Sequence, residues 1–273
     1  MSPIGVFDSG YGGLTILREL RKQLPEYDYI YLGDNARAPY GTRSFPVVLD
    51  FTRQAVEALF DRGCPLVILA CNTASAKALR SIQQLVLPFS DDPTRRVLGV
   101  IRPTVEVLPS VSRSGHIGVL ATPGTVASHS YFMEMEKIAP AMKVTEVAAP
   151  MWVPLVENRE SDGPGADYFV KKYLDRLMKL DSAIDTIVLG CTHYPLLIDK
   201  IRKYAPTGCR ILAQGDLVSR SLADYLRRHP EMDNRLSKGG SCRFYSTESS
   251  EKFDPLAAIF MGHDVDSQHI DLK

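Results

Sequence analysis

The sequence predicts an α/β protein with two pseudo-symmetric domains, each a mainly parallel sheet flanked by helices. Short runs rich in Ile and Val alternate with amphipathic stretches along most of the chain, and the pattern of a strand followed by a cysteine occurs twice. Parallel strands need long crossovers, so this alternation indicates sheets that are covered by helices. The length of 273 residues is sufficient for two medium-sized domains.

The predicted strands are short apolar runs bounded by small or polar residues. They cover residues 4–7, 27–33, 66–70, 96–101, 116–121, 186–190 and 209–214. The predicted helices have apolar residues at three- and four-residue spacing, which indicates one buried face. They cover residues 13–24, 47–63, 166–180 and 217–228.

A faint internal repeat suggests how the elements divide into domains. LVILACNTAS at 66–75 matches TIVLGCTHYP at 186–195, and IGVFDSG at 4–10 resembles IGVLATPG at 117–124. We therefore expect the active site in a cleft between two related halves. The loop-rich stretches 86–104 and 204–209 are the expected crossings. The predicted first domain is 1–98 plus 208–273, with strand 209–214 returning to it, and the second is 99–207.

Composition excludes several classes of protein. The 32 Lys and Arg residues balance the 32 Asp and Glu residues, which argues against binding to nucleic acid or an anionic membrane. No run approaches the length of an apolar membrane span, and the first residues lack the pattern of a signal peptide. The five unclustered cysteines are not a disulfide framework. We expect a cytoplasmic protein with free thiols, a small-molecule partner and a solvated tail after His263.

Two strand ends in the first half carry candidate chemistry. Asp8 and Ser9 precede a glycine turn, whose backbone N–H groups are open to an anion, although a simple helix cap remains an alternative. Cys71 ends the strand at 66–70 and precedes polar residues, where a helix N-terminus would favour a thiolate. The alternative for Cys71 is a buried packing residue.

The second half carries a matching cysteine. Cys191 is followed two residues later by His193, but no second Cys/His pair has the spacing of a zinc site. A Cys–His pair for acyl transfer is one interpretation. Against it stands Cys71 in the equivalent place, since two facing thiols suit proton movement between the two faces of a carbon. The other cysteines, Cys64, Cys209 and Cys242, are predicted to be packing residues.

Several segments carry a resemblance to a known family. They are GVFDSGYGGLTILREL, YLGDNARAPYG, ACNTAS, VPLVE, GCTHYPLL and, near the end, FYSTESSEKF. In this order they resemble the signature segments of the glutamate racemase family, which belongs with the aspartate/glutamate racemases. The resemblance implies a cofactor-independent, metal-free isomerase that interconverts L-glutamate and D-glutamate. It also implies a role in peptidoglycan synthesis and cell shape, and it leaves pairing into a homodimer open.

The resemblance further implies a two-base mechanism. Cys71 and Cys191 would lie on opposite faces of the substrate α-carbon, with Asp8 assisting Cys71, His193 assisting Cys191, and Glu157 holding His193. The implied substrate-binding positions are Asp8, Ser9, Tyr40, Gly41, Asn72, Thr73, Thr122, Thr125, Thr192 and His193.

The sequence departs from the family pattern in three places. Thr104 stands where a glycine is frequent, Ala149 replaces a cysteine or threonine, and Gln214–Asp216 replace an Asp-Ser-like turn. These departures affect the expected cleft shape rather than the predicted reaction. Three alternatives remain: a racemase of another acidic amino acid, a Cys/His hydrolase, and a non-catalytic amino-acid-binding module.

Overall fold

The computed structural model describes residues 2–272, which form two parallel sheets with helices on their faces. The strands are β1 (Ile4–Asp8), β2 (Tyr29–Gly33), β3 (Leu66–Leu69), β4 (Arg96–Gly99), β5 (His116–Ala121), β6 (Lys143–Ala148), β7 (Thr186–Gly190), β8 (Arg210–Leu212), β9 (Cys242–Ser246) and β10 (Ser267–His269). The first sheet has the order β10-β9-β2-β1-β3-β4 and the second has the order β6-β5-β7-β8. We call the two sheets with their helices the first and second lobes.

The α-helices connect parallel strands, as long crossovers require. They are α1 (Leu14–Gln23), α2 (Phe45–Asp61), α3 (Asn72–Lys77), α4 (Leu79–Ser81), α5 (Ile101–Val111), α6 (Pro123–Ala127), α7 (Ser130–Ile138), α8 (Trp152–Glu157), α9 (Pro164–Leu180), α10 (Ile198–Tyr204), α11 (Gln214–Arg228), α12 (Pro230–Asp233) and α13 (Ser250–Met261). None of the helices within residues 2–272 is long and apolar enough to cross a bilayer.

The two lobes share one topology. The order β2-β1-β3-β4 in the first sheet matches β6-β5-β7-β8 in the second, so β1 corresponds to β5 and β3 to β7. These are the strands that the internal repeat paired, and the predicted pseudo-symmetry is confirmed.

The position of β8 corrects the predicted path of the chain. β8 pairs with β7, with Val188 opposite Leu212, so the prediction that segment 209–214 returns to the first half is wrong. Short apolar strands fit the edge of either sheet, and nothing local in the segment specifies which. The return begins after β8, with α11, which packs on both α1 and α5. The remaining limits of the two domains stay predictions.

The C-terminal segment is ordered into the first sheet. β10 runs parallel to β9, and Val265 and Ile270 on either side of it are buried. The prediction of a solvated tail after His263 is therefore wrong. β6, β9 and β10 also escaped the strand prediction, because outer strands carry polar residues on their exposed sides and lack a continuous apolar run.

The central strands position the functional groups. β1, β3 and β7 are buried along their whole length, as expected for parallel strands covered on both faces. Side chains that follow such strands gather at the carboxyl edge of the sheet, where open α/β sheets bind ligands. Asp8 lies at this edge of the first sheet, and Thr122 and Cys191 lie at the same edge of the second.

Candidate active site

Neighbouring strands bring Asp8 and Cys71 together. β1 pairs with β3, with Phe7 opposite Leu69, and the Ala70 N–H donates to the Phe7 carbonyl over 2.8 Å. Asp8 and Cys71 therefore leave adjacent strands at one edge of the first sheet. Both side chains are buried.

The Cys71 thiol is held by two weak hydrogen-bonding contacts. Its Sγ accepts from the Ala74 backbone N–H at the start of α3 over 3.4 Å, and the Ser9 hydroxyl lies 3.4 Å away. Burial, followed by the charge of Asp8, nevertheless raises the pKa of Cys71 to about 12. The Ala74 N–H at the start of α3 lowers this pKa, in the direction predicted for a helix N-terminus, but burial beside a carboxylate outweighs it.

Asp8 is an unusual carboxyl group. Its Oδ2 accepts from the Gly10 N–H over 2.9 Å, whereas its buried Oδ1 has no hydrogen-bond partner among residues 2–272. Burial raises the pKa of Asp8 above its ordinary value, although the charge of His193 partly offsets this. A carboxyl with a raised pKa and one unpartnered oxygen is suited to exchange a proton.

The second cysteine has a different partner. Cys191 Sγ lies 3.9 Å from His193 Nδ1, and His193 Nε2 lies 2.9 Å from Glu157 Oε1. Burial opposes protonation of His193, but its contacts with Cys191 and Glu157 outweigh burial and raise its pKa to about 10. His193 is therefore placed to exchange a proton with the Cys191 thiol. The two thiols thus differ in their neighbours, with a carboxyl group beside Cys71 and an imidazole beside Cys191.

Three threonine hydroxyls meet where the lobes touch. Thr73 Oγ1 of the first lobe lies 3.0 Å from Thr122 Oγ1 and 3.3 Å from Thr125 Oγ1 of the second. Thr122 also caps α6 by accepting from the Thr125 N–H. All three side chains are buried. They form a set of donors suited to a carboxylate that would replace their bonds to one another.

A backbone hydrogen bond joins the two lobes next to Tyr40. The Gly124 N–H donates to the Gly41 carbonyl over 2.7 Å. The predicted binding residue Tyr40 precedes this contact, but its hydroxyl donates to the buried Asp34. The Tyr40 side chain is therefore engaged within the first lobe.

Gly12 packs directly against the second-lobe site. A Cβ at this position would lie 2.2 Å from Thr192 Oγ1 and 2.5 Å from His193 Nδ1. The Gly12 carbonyl also accepts from the Thr15 hydroxyl, which lies 3.1 Å from the Thr192 carbonyl as well. The glycine turn of the first lobe thus fixes the position of the Cys191–His193 segment.

We predict that Gly12→Ala lowers kcat by at least about a hundredfold, because displacement of a reacting group by about an ångström costs that much. The matched control is Gly165→Ala, since a Cβ at Gly165 meets no atom within 4 Å. Steady-state kinetics and thermal unfolding of both variants check this prediction. Wild-type kcat in a folded Gly12→Ala variant would contradict it.

Three residues of the site, Thr104, Tyr131 and Gln214, were not predicted from the sequence as functional. Asn72 is hydrogen-bonded to Gln214 and Tyr131, and Gln214 to Thr104. Thr104 and Gln214 attracted notice only as departures from the family pattern, and Tyr131 had no signal. Within residues 2–272 no group of three or more His, Cys, Asp or Glu side chains is arranged to hold a metal ion.

Fold and site together place the protein in the class of α/β isomerases with two related lobes. Residues 12–217 match the family described as Asp/Glu/hydantoin racemase, and the chain belongs to this family. The glutamate racemase of Ruegeria sp. (strain TM1040) is 38% identical over 272 residues, which cover 96% of this chain and 97% of the relative.

Solved structures are similar over nearly the whole chain. Glutamate racemase isoform RacE1 from Bacillus anthracis has a TM-score of 0.89 at 34% identity, covering 99% of this chain and 98% of its own. Glutamate racemase from Francisella tularensis in complex with D-glutamate has a TM-score of 0.86 at 32% identity, covering 100% and 97%. The fold class and the family resemblance predicted from the sequence are confirmed.

Proposed function

We propose that the protein is a cofactor-independent glutamate racemase that interconverts L-glutamate and D-glutamate with Cys71 and Cys191 as its two bases. One observation carries the proposal: equivalent strands of the two lobes each end in a buried cysteine, and each cysteine has its own proton-exchanging neighbour. That neighbour is Asp8 for Cys71 and His193 for Cys191. Relatives named glutamate racemase over nearly the whole chain support the choice of substrate.

The different neighbours of the two thiols suggest the order of the proton transfers. The Cys191 thiolate removes the α-proton, and the electron pair of the broken C–H bond stays on the α-carbon. The Cys71 thiol then donates its proton to the opposite face, which forms the new C–H bond. The enzyme is left with Cys191 as thiol and Cys71 as thiolate. In the reverse direction the Cys71 thiolate removes the α-proton of D-glutamate and the Cys191 thiol donates its proton to the opposite face, which restores the starting state.

The substrate carboxylates require donors rather than a basic surface. The hydroxyls of Thr73, Thr122 and Thr125, with backbone N–H groups at the strand ends, supply such donors in a buried setting. Hydrogen bonds to charged groups are stronger than those between neutral groups. Donors that are fixed around the substrate also stabilise the carbanion-like state that proton removal creates at the α-carbon.

A direct assay separates this proposal from its alternatives. The purified protein is incubated with L-glutamate without added cofactor, and the circular dichroism of the amino acid is followed. We expect the signal to decay to zero as the enantiomers equilibrate. A faster decay with L-aspartate would indicate another acidic substrate, and release of ammonia from L-glutamine, which carries an amide, would indicate hydrolysis. Saturable glutamate binding in calorimetry without turnover would indicate a binding module.

The pH dependence tests the assignment of Glu157. In the wild type we expect the racemisation rate to fall as pH rises through about 10, where His193 loses its proton. Because the Glu157 carboxylate helps to raise the pKa of His193, Glu157→Gln should move this alkaline limb to lower pH. The control is Glu160→Gln, an exposed glutamate a few residues further on. If the rate of Glu157→Gln falls at the same alkaline pH as that of the wild type, the role assigned to Glu157 is contradicted.

We also propose a cellular setting. All five cysteines are free thiols, which supports a reducing compartment such as the cytoplasm. There D-glutamate would supply peptidoglycan synthesis and thereby cell shape. Depletion of the protein in a growing bacterium, with rescue by external D-glutamate, tests this role.

A homodimer remains a prediction, which analytical ultracentrifugation tests.

A further inference from the structure

A closed ring of hydrogen bonds lies beside the first-lobe thiol. Asn72, the residue after Cys71, donates from Nδ2 to Gln214 Oε1 over 2.6 Å. Gln214 Nε2 donates to the Tyr131 hydroxyl over 2.9 Å, and this hydroxyl donates to Asn72 Oδ1 over 2.7 Å. All three side chains are buried. Each of them therefore gives one hydrogen bond to the ring and accepts one from it.

Thr104 fixes the direction of the ring. Its hydroxyl donates to the Val100 carbonyl over 2.7 Å, so toward Gln214 it acts as the acceptor, at 2.9 Å from Nε2. Gln214 Nε2 also lies 3.3 Å from the Val100 carbonyl. A flipped Gln214 amide would set its oxygen against these acceptors and its NH₂ group against the NH₂ group of Asn72. Two acceptors or two donors that face each other are costly when buried, so one orientation of the Gln214 amide is strongly favoured.

The ring determines what Asn72 can offer to a ligand. The Asn72 amide group has two N–H hydrogens, one of which is donated to Gln214. Its oxygen is already bound by Tyr131. The second N–H has no acceptor among residues 2–272, and the ring fixes the plane in which it points. Asn72 begins α3 directly after Cys71, at the edge of the sheet where Asp8 and Ser9 also lie.

The ring also spans the molecule. Asn72 follows a strand of the first sheet, Tyr131 lies on α7 after the first strand of the second sheet, and Gln214 begins α11, where the chain returns. Thr104, on α5, contacts Gln214 and so ties the ring to a further helix.

We propose that Gln214 is a positioning residue for racemisation, acting with Tyr131 and Thr104 to hold the free N–H of Asn72 toward the substrate carboxylate. This inference rests on the proposed function. Gln214 itself need not touch glutamate, because its effect passes through the Asn72 amide.

Gln214→Glu tests the proposal with little change of volume. The carboxylate still accepts from Asn72, but it has no hydrogen for Thr104 or Tyr131, and the ring is broken. We expect kcat/KM to fall at least about tenfold, the loss expected from one misdirected hydrogen bond to a charged substrate. Thr104→Val should lower it less, since Gln214 can still donate to the Val100 carbonyl, and Thr104→Ser should restore it.

Tyr131→Phe provides a second variant with a matched control. Tyr29 is likewise buried, and its hydroxyl donates over 2.9 Å to the Leu24 carbonyl, outside the ring. We expect Tyr131→Phe and Tyr29→Phe to lower the thermal midpoint to a similar extent. Only Tyr131→Phe should lower kcat/KM, again by about tenfold. Equal kcat/KM in the two variants would overturn the proposal.

A double-mutant cycle with Asn72→Ala decides whether Gln214 acts through Asn72. In the Asn72→Ala background we expect Gln214→Glu to change kcat/KM by less than about twofold, because the residue it positions is gone. A further tenfold loss would overturn the inference while leaving the proposed function in place. A wild-type protein that does not racemise glutamate would instead overturn both.

Discussion

Cys71→Ala and Cys191→Ala should each abolish racemisation of both enantiomers, lowering kcat by at least roughly a thousandfold. Each thiol removes the proton in one direction and donates it in the other, so the loss of either one stops both directions. Acid–base groups of this kind contribute factors of about 10² to 10⁴. The rates of both single variants with L-glutamate and with D-glutamate, followed by circular dichroism, check this expectation.

Cys64→Ala is the matched control for these variants. Burial raises the pKa of Cys64 to about 12, as it does for Cys71, but Cys64 packs in the core before β3 and has no acidic or imidazole partner in the described part of the chain. We expect Cys64→Ala to lose some stability through the cavity it leaves and to retain the activity of the folded enzyme. Full activity in either cleft variant would refute the assignment of two bases.

Asp8→Asn should separate activity from stability. We expect racemisation to fall by about a hundredfold or more, because Asn cannot exchange a proton with Cys71. Stability should change in the opposite direction at neutral pH. The raised pKa of Asp8 means that its ionised form is disfavoured in the folded state, and Asn removes that charge. Removal of a buried active-site charge often has this pair of effects.

The effect of Asp8 on stability depends on pH because protons bind differently to the folded and unfolded states. A carboxyl whose pKa is higher in the folded than in the unfolded state binds more protons when folded, so its contribution to stability declines as pH rises through that window. For Asp8 the window begins near its ordinary value of 3.8. The difference in thermal midpoint between Asp8→Asn and wild type should therefore grow as pH rises from about 4.

Asp28→Asn is a control for which we expect the opposite change in stability. Asp28 is buried and accepts from the Ser241 N–H and hydroxyl, and hydrogen bonds of this kind lower its pKa. Its ionised form is favoured by folding, so Asp28→Asn should be destabilising at neutral pH and leave the rate unchanged. A pH-independent difference between Asp8→Asn and wild type would contradict the proposed state of Asp8.

The repeated pattern of a strand followed by a cysteine was readable from the sequence because fully buried parallel strands leave continuous apolar runs. That pattern predicted both lobes, their symmetry, and the position of Cys71 and Cys191 at matching strand ends. The sheet to which β8 belongs was not readable, since Ile211 and Leu212 would suit the edge of either sheet. β9 and β10 escaped prediction for a related reason, as their exposed sides interrupt the apolar pattern.

Electrostatic states and long-range bonds were the least accessible from the sequence. A helix N-terminus after Cys71 predicts a thiolate, but burial beside Asp8 outweighs a helix of six residues. The ring around Gln214 joins residues 142 and 83 positions apart, and no local pattern encodes such contacts. Only the departures from the family pattern at Thr104 and Gln214 hinted that this region differs.

The placement of hydrogen isotopes during the first turnovers tests the central claim, that two thiols act on opposite faces of one α-carbon. The wild-type enzyme is incubated with L-glutamate in deuterated water, and both enantiomers are separated at low conversion and measured by mass spectrometry. Two bases predict that newly formed D-glutamate carries solvent deuterium while the recovered L-glutamate keeps its original hydrogen. D-glutamate that retains the original α-hydrogen would show a single base returning the same proton, and would contradict the account.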